Sequence, residues 1–208
     1  MKNLKKALLE AIKKVRETAK KRNFVQTFDL IINLKGIDVK KPENRINEDV
    51  ELPHGRGKDA KIVVFSDSFK NLECTVIGSK EIEKLGKDKR SAKKLARNTD
   101  FFLAEPQLMP LIGRSLGKIL APRGKMPRVI KGEPEKMVEK YKKCVRIRIK
   151  DAPTVQCIIG KEDMEDEKIA ENAMEVINFL ISKLPKGVVN IKNILIKLTM
   201  SKPVKVEV

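Results

Sequence analysis

The chain has no tryptophan, one tyrosine and one histidine among its 208 residues, and its aromatics amount to 4%. So few rings argue against a protein that holds single-stranded nucleic acid by stacking successive bases. Its three cysteines, Cys74, Cys144 and Cys157, form no Cys-x-x-Cys pair, and His54 alone cannot complete a zinc site of His and Cys ligands. Free thiols and no metal or cofactor are therefore expected. No apolar run approaches the roughly 18 residues that span a bilayer. No Gly-x-Ser-x-Gly element is present. Gly113-Arg114-Ser115-Leu116-Gly117-Lys118 falls one residue short of a phosphate loop, with Ile119 where the metal-binding hydroxyl should stand. His54 reads as a turn residue, and no catalytic set assembles.

What the chain has is positive charge. Lys and Arg number 46 against 28 acids, a formal net charge of +18. Such a surplus repels itself unless an anionic partner offsets it. Met1 to Arg22 holds nine basic residues against two acids, and Lys80 to Arg97 holds eight against three. Glu162 to Glu175 reverses the sign, with seven acids and one lysine, and reads as a solvated helix face. Between Pro106 and Lys131 there is no acid at all. Within that interval Pro122, Gly124 and Pro127 specify a rigid turn carrying Arg123, Lys125 and Arg128.

The rhythm of the chain gives its organisation. Leu4, Ala7, Leu8, Ala11, Ile12, Val15 and Ala19 line one face of an N-terminal helix that suits packing on the protein's own sheet. This helix has no continuous apolar core, as a signal peptide would, and its Lys dominates over Arg and Ser, unlike a transit peptide, so a cytoplasmic protein without membrane contact is expected. Thr27 to Leu34 alternates as a strand. From Lys61 to Leu120, short apolar strands alternate with helices, the pattern of a parallel α/β sheet. Cys144 to Lys150 alternates apolar residues with Arg146, Arg148 and Lys150, a row suited to phosphates, and pairs in prospect with Thr154 to Ile159 as a hairpin. A helix near Asp166 to Leu184 and a strand from Val189 to Met200 follow. Neither chain end holds a core of its own. The expected layout is one discontinuous domain of residues 1–57 and 133–208, with residues 58–132 inserted.

Four blocks carry a family likeness, and they span the chain in order. They are Arg22-Asn23-Phe24, Leu52-Pro53-His54-Gly55-Arg56-Gly57-Lys58, the stretch from Leu116 to Pro127, and Leu198-Thr199-Met200. The chain resembles the archaeal form of the ribosomal protein L-one family of the large subunit. That resemblance implies an α/β fold: an α+β split domain built from both chain ends and an inserted Rossmann-like three-layer domain, moving about hinges near Gly55, Gly57 and Gly132. It implies a non-enzyme without cofactors, a monomer off the ribosome. The implied partners are the large-subunit ribosomal RNA at a mobile stalk junction, the protein's own messenger RNA, whose translation it represses, and exit-site transfer RNA, whose release it assists. RNA-contact residues carry over by motif position to Phe24, Asn193, Thr199, Met200 and Ser201. Strand alternation adds Lys197, which would share a face with Asn193, Thr199 and Ser201 if the strand ran unbroken. Ser201 stands where many members have glycine. Two rival readings are a soluble enzyme acting on a phosphorylated substrate and a DNA-associated architectural protein.

Overall fold

A computed structural model describes residues 2–69 and 72–207. The chain divides into two compact units, Met1–Lys58 with Lys143–Val208, and Asp59–Lys142.

The first unit is built on a four-stranded antiparallel sheet in the order β10-β9-β1-β8, made from β1 (Thr27–Leu34), β8 (Thr154–Lys161), β9 (Ile191–Leu198) and β10 (Val204–Lys205). Alternation places Phe28, Leu30, Ile32 and Leu34 of β1 in the core and leaves Thr27, Asp29, Ile31 and Asn33 half-buried on the other face. The helices α1 (Lys2–Thr18) and α6 (Asp166–Lys183) cover the core face with Leu8, Ile12 and Val15 from one, and Ile169, Ala173, Val176 and Leu180 from the other. Two further strands, β2 (Asn47–Glu51) and β7 (Cys144–Arg148), form an antiparallel ribbon whose Val50, Val145 and Ile147 join the same core.

The expected hairpin between Cys144–Lys150 and Thr154–Ile159 does not form. Instead, β7 pairs with β2 and β8 with β1. Cross-strand chemistry explains the choice. The register sets Asp49 opposite Arg146, and Arg146 Nε donates to Asp49 Oδ1 at 3.0 Å with the carboxylate side chain only 4% exposed. An acidic strand and a basic strand select each other where opposite charges face. Arg146 is thus engaged within the fold and is not part of an open phosphate row.

Cys157 points into this core. Burial, with the nearby Asp29 carboxylate adding to it, pushes its thiol up to about 12. The thiolate is the reactive form. Iodoacetamide at pH 8 is therefore expected to leave Cys157 unmodified until the unit unfolds; labelling at the rate of an unfolded thiol would contradict this burial.

The second unit holds a parallel sheet in the order β4-β3-β5-β6, from β3 (Ile62–Phe65), β4 (Thr75–Ile77), β5 (Phe101–Ala104) and β6 (Arg128–Val129). Every residue of β3 and β5 is buried, as a parallel sheet covered on both faces requires. On one face, α2 (Ser79–Lys87), α3 (Lys89–Asn98) and α4 (Met109–Leu120) pack Ile82, Ala92, Ala96, Ile112 and Leu116 against Phe65 and Phe102. On the other, Tyr141 of α5 (Pro134–Lys143) meets the edge of Phe101 at 5.4 Å between ring centroids. The mixed α/β class and its three layers follow from these faces.

The second crossing lies at 142/143, ten residues beyond the expected 132/133. Pro134 opens a helix, its missing N–H costing nothing in the first turn, and Val138 and Tyr141 anchor that helix to the inserted unit. Gly132, with φ of 85°, therefore lies inside the second unit. Gly55 and Gly57, with φ of 64° and 76°, lie in the first unit just before its exit at Lys58.

That exit segment is tied to α6. Asn172, fully buried, accepts from the His54 N–H at 3.1 Å and donates to the carbonyls of Gly55 at 2.7 Å and Ile159 at 2.8 Å. The His54 ring meets Glu171 at 2.5 Å, and Lys5 donates to the same carboxylate at 2.9 Å. These bonds hold the Glu171 carboxyl below the ordinary carboxylate range. Part of the acidic run read as a solvated face is therefore spent inside the unit. Replacing Asn172 by alanine strands buried backbone groups and is expected to cost about 1–3 kcal/mol, readable by urea unfolding. Unchanged stability would mean that water replaces the clamp.

Candidate nucleic-acid interface

At one end of the first unit's sheet, β1 begins beside the end of β9. The strand predicted to run from Val189 to Met200 is shorter: Gly187–Asn190 forms a 3-10 turn, and β9 ends at Leu198. Thr199, Met200 and Ser201 form a turn, so the expected unbroken row of Asn193, Lys197, Thr199 and Ser201 stops after Lys197. Ser201 itself ends the strand. Its hydroxyl accepts from the Leu198 N–H at 2.8 Å, and its own N–H donates to the Leu198 carbonyl at 3.0 Å.

The turn is fastened on three sides. Thr199 N–H donates to the Thr27 carbonyl at 3.0 Å, and the Thr199 hydroxyl accepts from the Thr27 N–H at 3.1 Å. Lys197 Nζ donates to the Thr199 carbonyl at 2.9 Å and sits 4.0 Å from Asp29. Burial raises the Asp29 pKa, an effect that Lys197 opposes. Gln26, almost completely buried, accepts from the Met200 N–H at 3.2 Å through its side-chain oxygen. The Gln26 backbone in turn pairs both ways with Glu162. Arg16 fixes the loop that contains Glu162, donating to Asp166 and to the carbonyls of Glu162 and Met164, each at 2.7 Å.

On this fixed frame stand three apolar side chains exposed to solvent: Phe24 at 53%, Val25 at 53% and Met200 at 59%. Nothing in the core requires them there. Further down the same outward face, Asn33 donates to Asn193 at 2.7 Å and accepts from the Thr154 hydroxyl at 3.1 Å, linking three strands in one polar row. The arrangement is a rigid surface with apolar side chains at one end and amides and hydroxyls along it. It offers stacking and van der Waals contact to bases, and donors and acceptors to sugar hydroxyls and phosphates.

Of the residues named from sequence, Asn193 and Lys197 lie on β9, Thr199, Met200 and Ser201 in the turn that follows it, and Phe24 in the loop that leads into β1. Sequence reasoning missed Gln26, Asn33 and Thr154, which enter through cross-strand register rather than through any local motif. Elsewhere, Gly113 and Gly117 fall inside α4, past its first turn, so their backbone serves the helix and they do not form a strand-to-helix phosphate loop. Among the described residues, no cluster of three or more His, Cys, Asp or Glu side chains could hold a metal ion, and no helix is long and apolar enough to cross a membrane.

Comparison with known proteins agrees with the motif blocks. A model of the "Ribosomal protein L1p/L10e family" matches residues 12–202. The chain is 50% identical to the large ribosomal subunit protein uL1 of Thermococcus kodakarensis over 208 residues, covering 96% of each chain. It is 48% identical to the uL1 of Methanocaldococcus jannaschii, covering 98% of this chain and 96% of that one. To the uL1 of Methanothermobacter thermautotrophicus it is 44% identical, covering 98% and 100%. Matches of this extent and identity leave one conclusion, that the chain belongs to the ribosomal protein L1p/L10e family, in its archaeal type.

Proposed function

We propose that the chain is a structural constituent of the large ribosomal subunit, acting without catalysis, and that its first unit binds large-subunit ribosomal RNA at a mobile stalk junction near the exit site. The relatives' shared name supports the ribosomal place. The observation that carries the RNA reading is the exposed Phe24, Val25 and Met200 set on a turn already held by Gln26, Thr27 and Lys197. A preformed surface spends little ordering entropy on binding, so its contacts convert to affinity. From the stalk the protein would assist release of deacylated transfer RNA. The same surface would accept a similar fold in the protein's own messenger RNA and so repress its translation.

Competition tests this. The full chain is offered a stalk-junction RNA, duplex DNA of equal length and an unstructured polyanion at matched salt. The junction is expected to win by a factor on the order of 10³, the lower end of specific over non-specific nucleic-acid binding. Equal retention of all three would reduce the interaction to charge and overturn the reading.

A further inference from the structure

One side chain on the open face of the first unit's sheet is at odds with an RNA-binding surface. Asp29 stands on the outward face of β1, between Thr27 beside the turn and Asn33 in the polar row, because alternate residues of a strand share a face. Its side chain is 33% exposed. The register sets Lys197 of β9 on one side of it and the exposed Ile158 of β8 on the other. The β1–β8 pairing shifts between Phe28 and Asp29, and such irregularities re-aim a side chain at a sheet surface.

An acid in the middle of such a face repels phosphate. The fold makes no use of it in return. Lys197 Nζ, 4.0 Å away, is outside hydrogen-bond range of it and donates to the Thr199 carbonyl at 2.9 Å. The other acids of the first unit that are withdrawn from solvent each accept a hydrogen bond within it: Glu48 from Lys183, Asp49 from Arg146, Glu162 from the Gln26 N–H, Asp166 from Arg16 and Glu171 from Lys5. Among the described residues of that unit, Asp29 is the one half-buried carboxylate without a hydrogen bond.

We propose that Asp29 is a specificity-determining residue of this surface, accepting the hydrogen of a ribose 2′-hydroxyl and so selecting RNA over DNA. An ionised carboxylate offers lone pairs and no donor, so of a nucleic-acid backbone it can bind only the hydroxyl and turns phosphate away. Lys197 offsets part of its charge, which lets the strand that carries the hydroxyl approach. Ribose hydroxyls line the wide, shallow groove of an RNA helix, the surface that a sheet face can meet. A deoxyribose strand brings no donor and leaves the carboxylate covered and unpaired, a cost that falls on the wrong partner alone. This inference rests on the RNA reading above and names what part of the ribonucleotide the surface recognises.

Asp29→Asn and Asp29→Leu are made in the full chain, with Glu10→Gln on the exposed side of α1 as a control for the loss of one negative charge. Affinity is measured for the stalk-junction RNA, for the same junction carrying one 2′-deoxynucleotide at each position in turn, and for duplex DNA of equal length. Charge alone predicts that losing an acid strengthens binding to every polyanion or leaves it unchanged, as Glu10→Gln should do. Asp29→Leu is expected to bind the junction RNA about tenfold more weakly, the low end for a hydrogen bond to a charged group, and duplex DNA equally well or better. Asparagine keeps one acceptor oxygen and should fall between. In the wild-type chain one or two deoxy positions should cost a similar factor, and in Asp29→Leu those same positions should cost nothing further. Both substitutions remove a charge from a partly desolvated place, so the thermal midpoint should hold or rise; were the leucine variant to misfold, the asparagine variant carries the same comparison. Deoxy costs that persist undiminished in the Asp29 variants, as they would if the carboxylate only positioned Lys197, would overturn the proposal. So would junction RNA bound by both variants as tightly as by wild type. A wild-type chain that does not prefer the junction to duplex DNA would instead remove the RNA reading itself, and this inference with it.

Discussion

Replacing Asp49 by alanine is expected to lower the stability of the first unit by about 3–5 kcal/mol, the range for breaking one partner out of a buried ion pair. Asp49 is on β2 directly opposite Arg146 of β7, and the pair is 4% and 17% exposed at its side chains. Removing the carboxylate leaves a guanidinium with little water to solvate it, and the cost is mainly that of the stranded charge. Arg146→Ala should cost a similar amount for the mirror reason. The double substitution should cost clearly less than the two together, because neither charge is then left behind. Hydrogen exchange of the β2 and β7 amides is the suitable measurement, since it reports this unit alone in a chain of two units that need not unfold together. A loss below about 1 kcal/mol in either single variant, the range of an exposed pair, would mean that water reaches the site. The outcome also bears on function, because an Arg146 engaged with Asp49 is a structural cation and its loss should not change the salt slope of RNA binding in chains that remain folded.

The same pair shows what the sequence could not disclose. Strand β1 was legible to its boundaries because apolar Phe28, Leu30, Ile32 and Leu34 recur at every second position between clear ends. The helices α2, α3 and α4 of the second unit were legible for the corresponding reason at a period of 3.6. Strand pairing was not. A three-residue link, Asp151-Ala152-Pro153, favours a local hairpin, whereas the partner actually chosen by β7 lies almost a hundred residues away. Only Asp49 against Arg146 betrays it, and that signal needs the register to be known first. The helix α5 was hidden by its composition: Pro-Glu-Lys-Met-Val-Glu-Lys-Tyr-Lys-Lys carries few apolar residues, though Pro134 followed by Glu135 is an ordinary helix start. At the candidate site, the exposed Phe24 and Met200 were reached by motif position. Composition alone argues the other way, since such side chains are usually buried. Gln26 had no signal at all, because its role is to hold the Met200 backbone from the residue just before β1.

Phe24→Ala and Met200→Ala are each expected to weaken binding to the stalk-junction RNA by about 1–3 kcal/mol, the range measured for losing one side chain from a base stack. Both side chains are more than half exposed, so alanine removes little buried area and leaves stability within about 0.5 kcal/mol. This makes the readout clean: affinity should fall while the thermal midpoint stays. Neither side chain carries charge, so the salt slope should also stay, which separates these apolar groups from the lysines that meet phosphates. Together the two should lose less than their sum if one base lies against both, and the full sum if they touch different nucleotides. Gln26→Leu supplies the complementary case. It keeps the volume but removes the acceptor of the Met200 N–H, so the turn loses a restraint and affinity should fall even though no exposed side chain has changed. Wild-type affinity in Phe24→Ala and Met200→Ala, with folding intact, would move the RNA surface away from this end of the sheet. The polar row of Asn193, Asn33 and Thr154 would then be the next place to look.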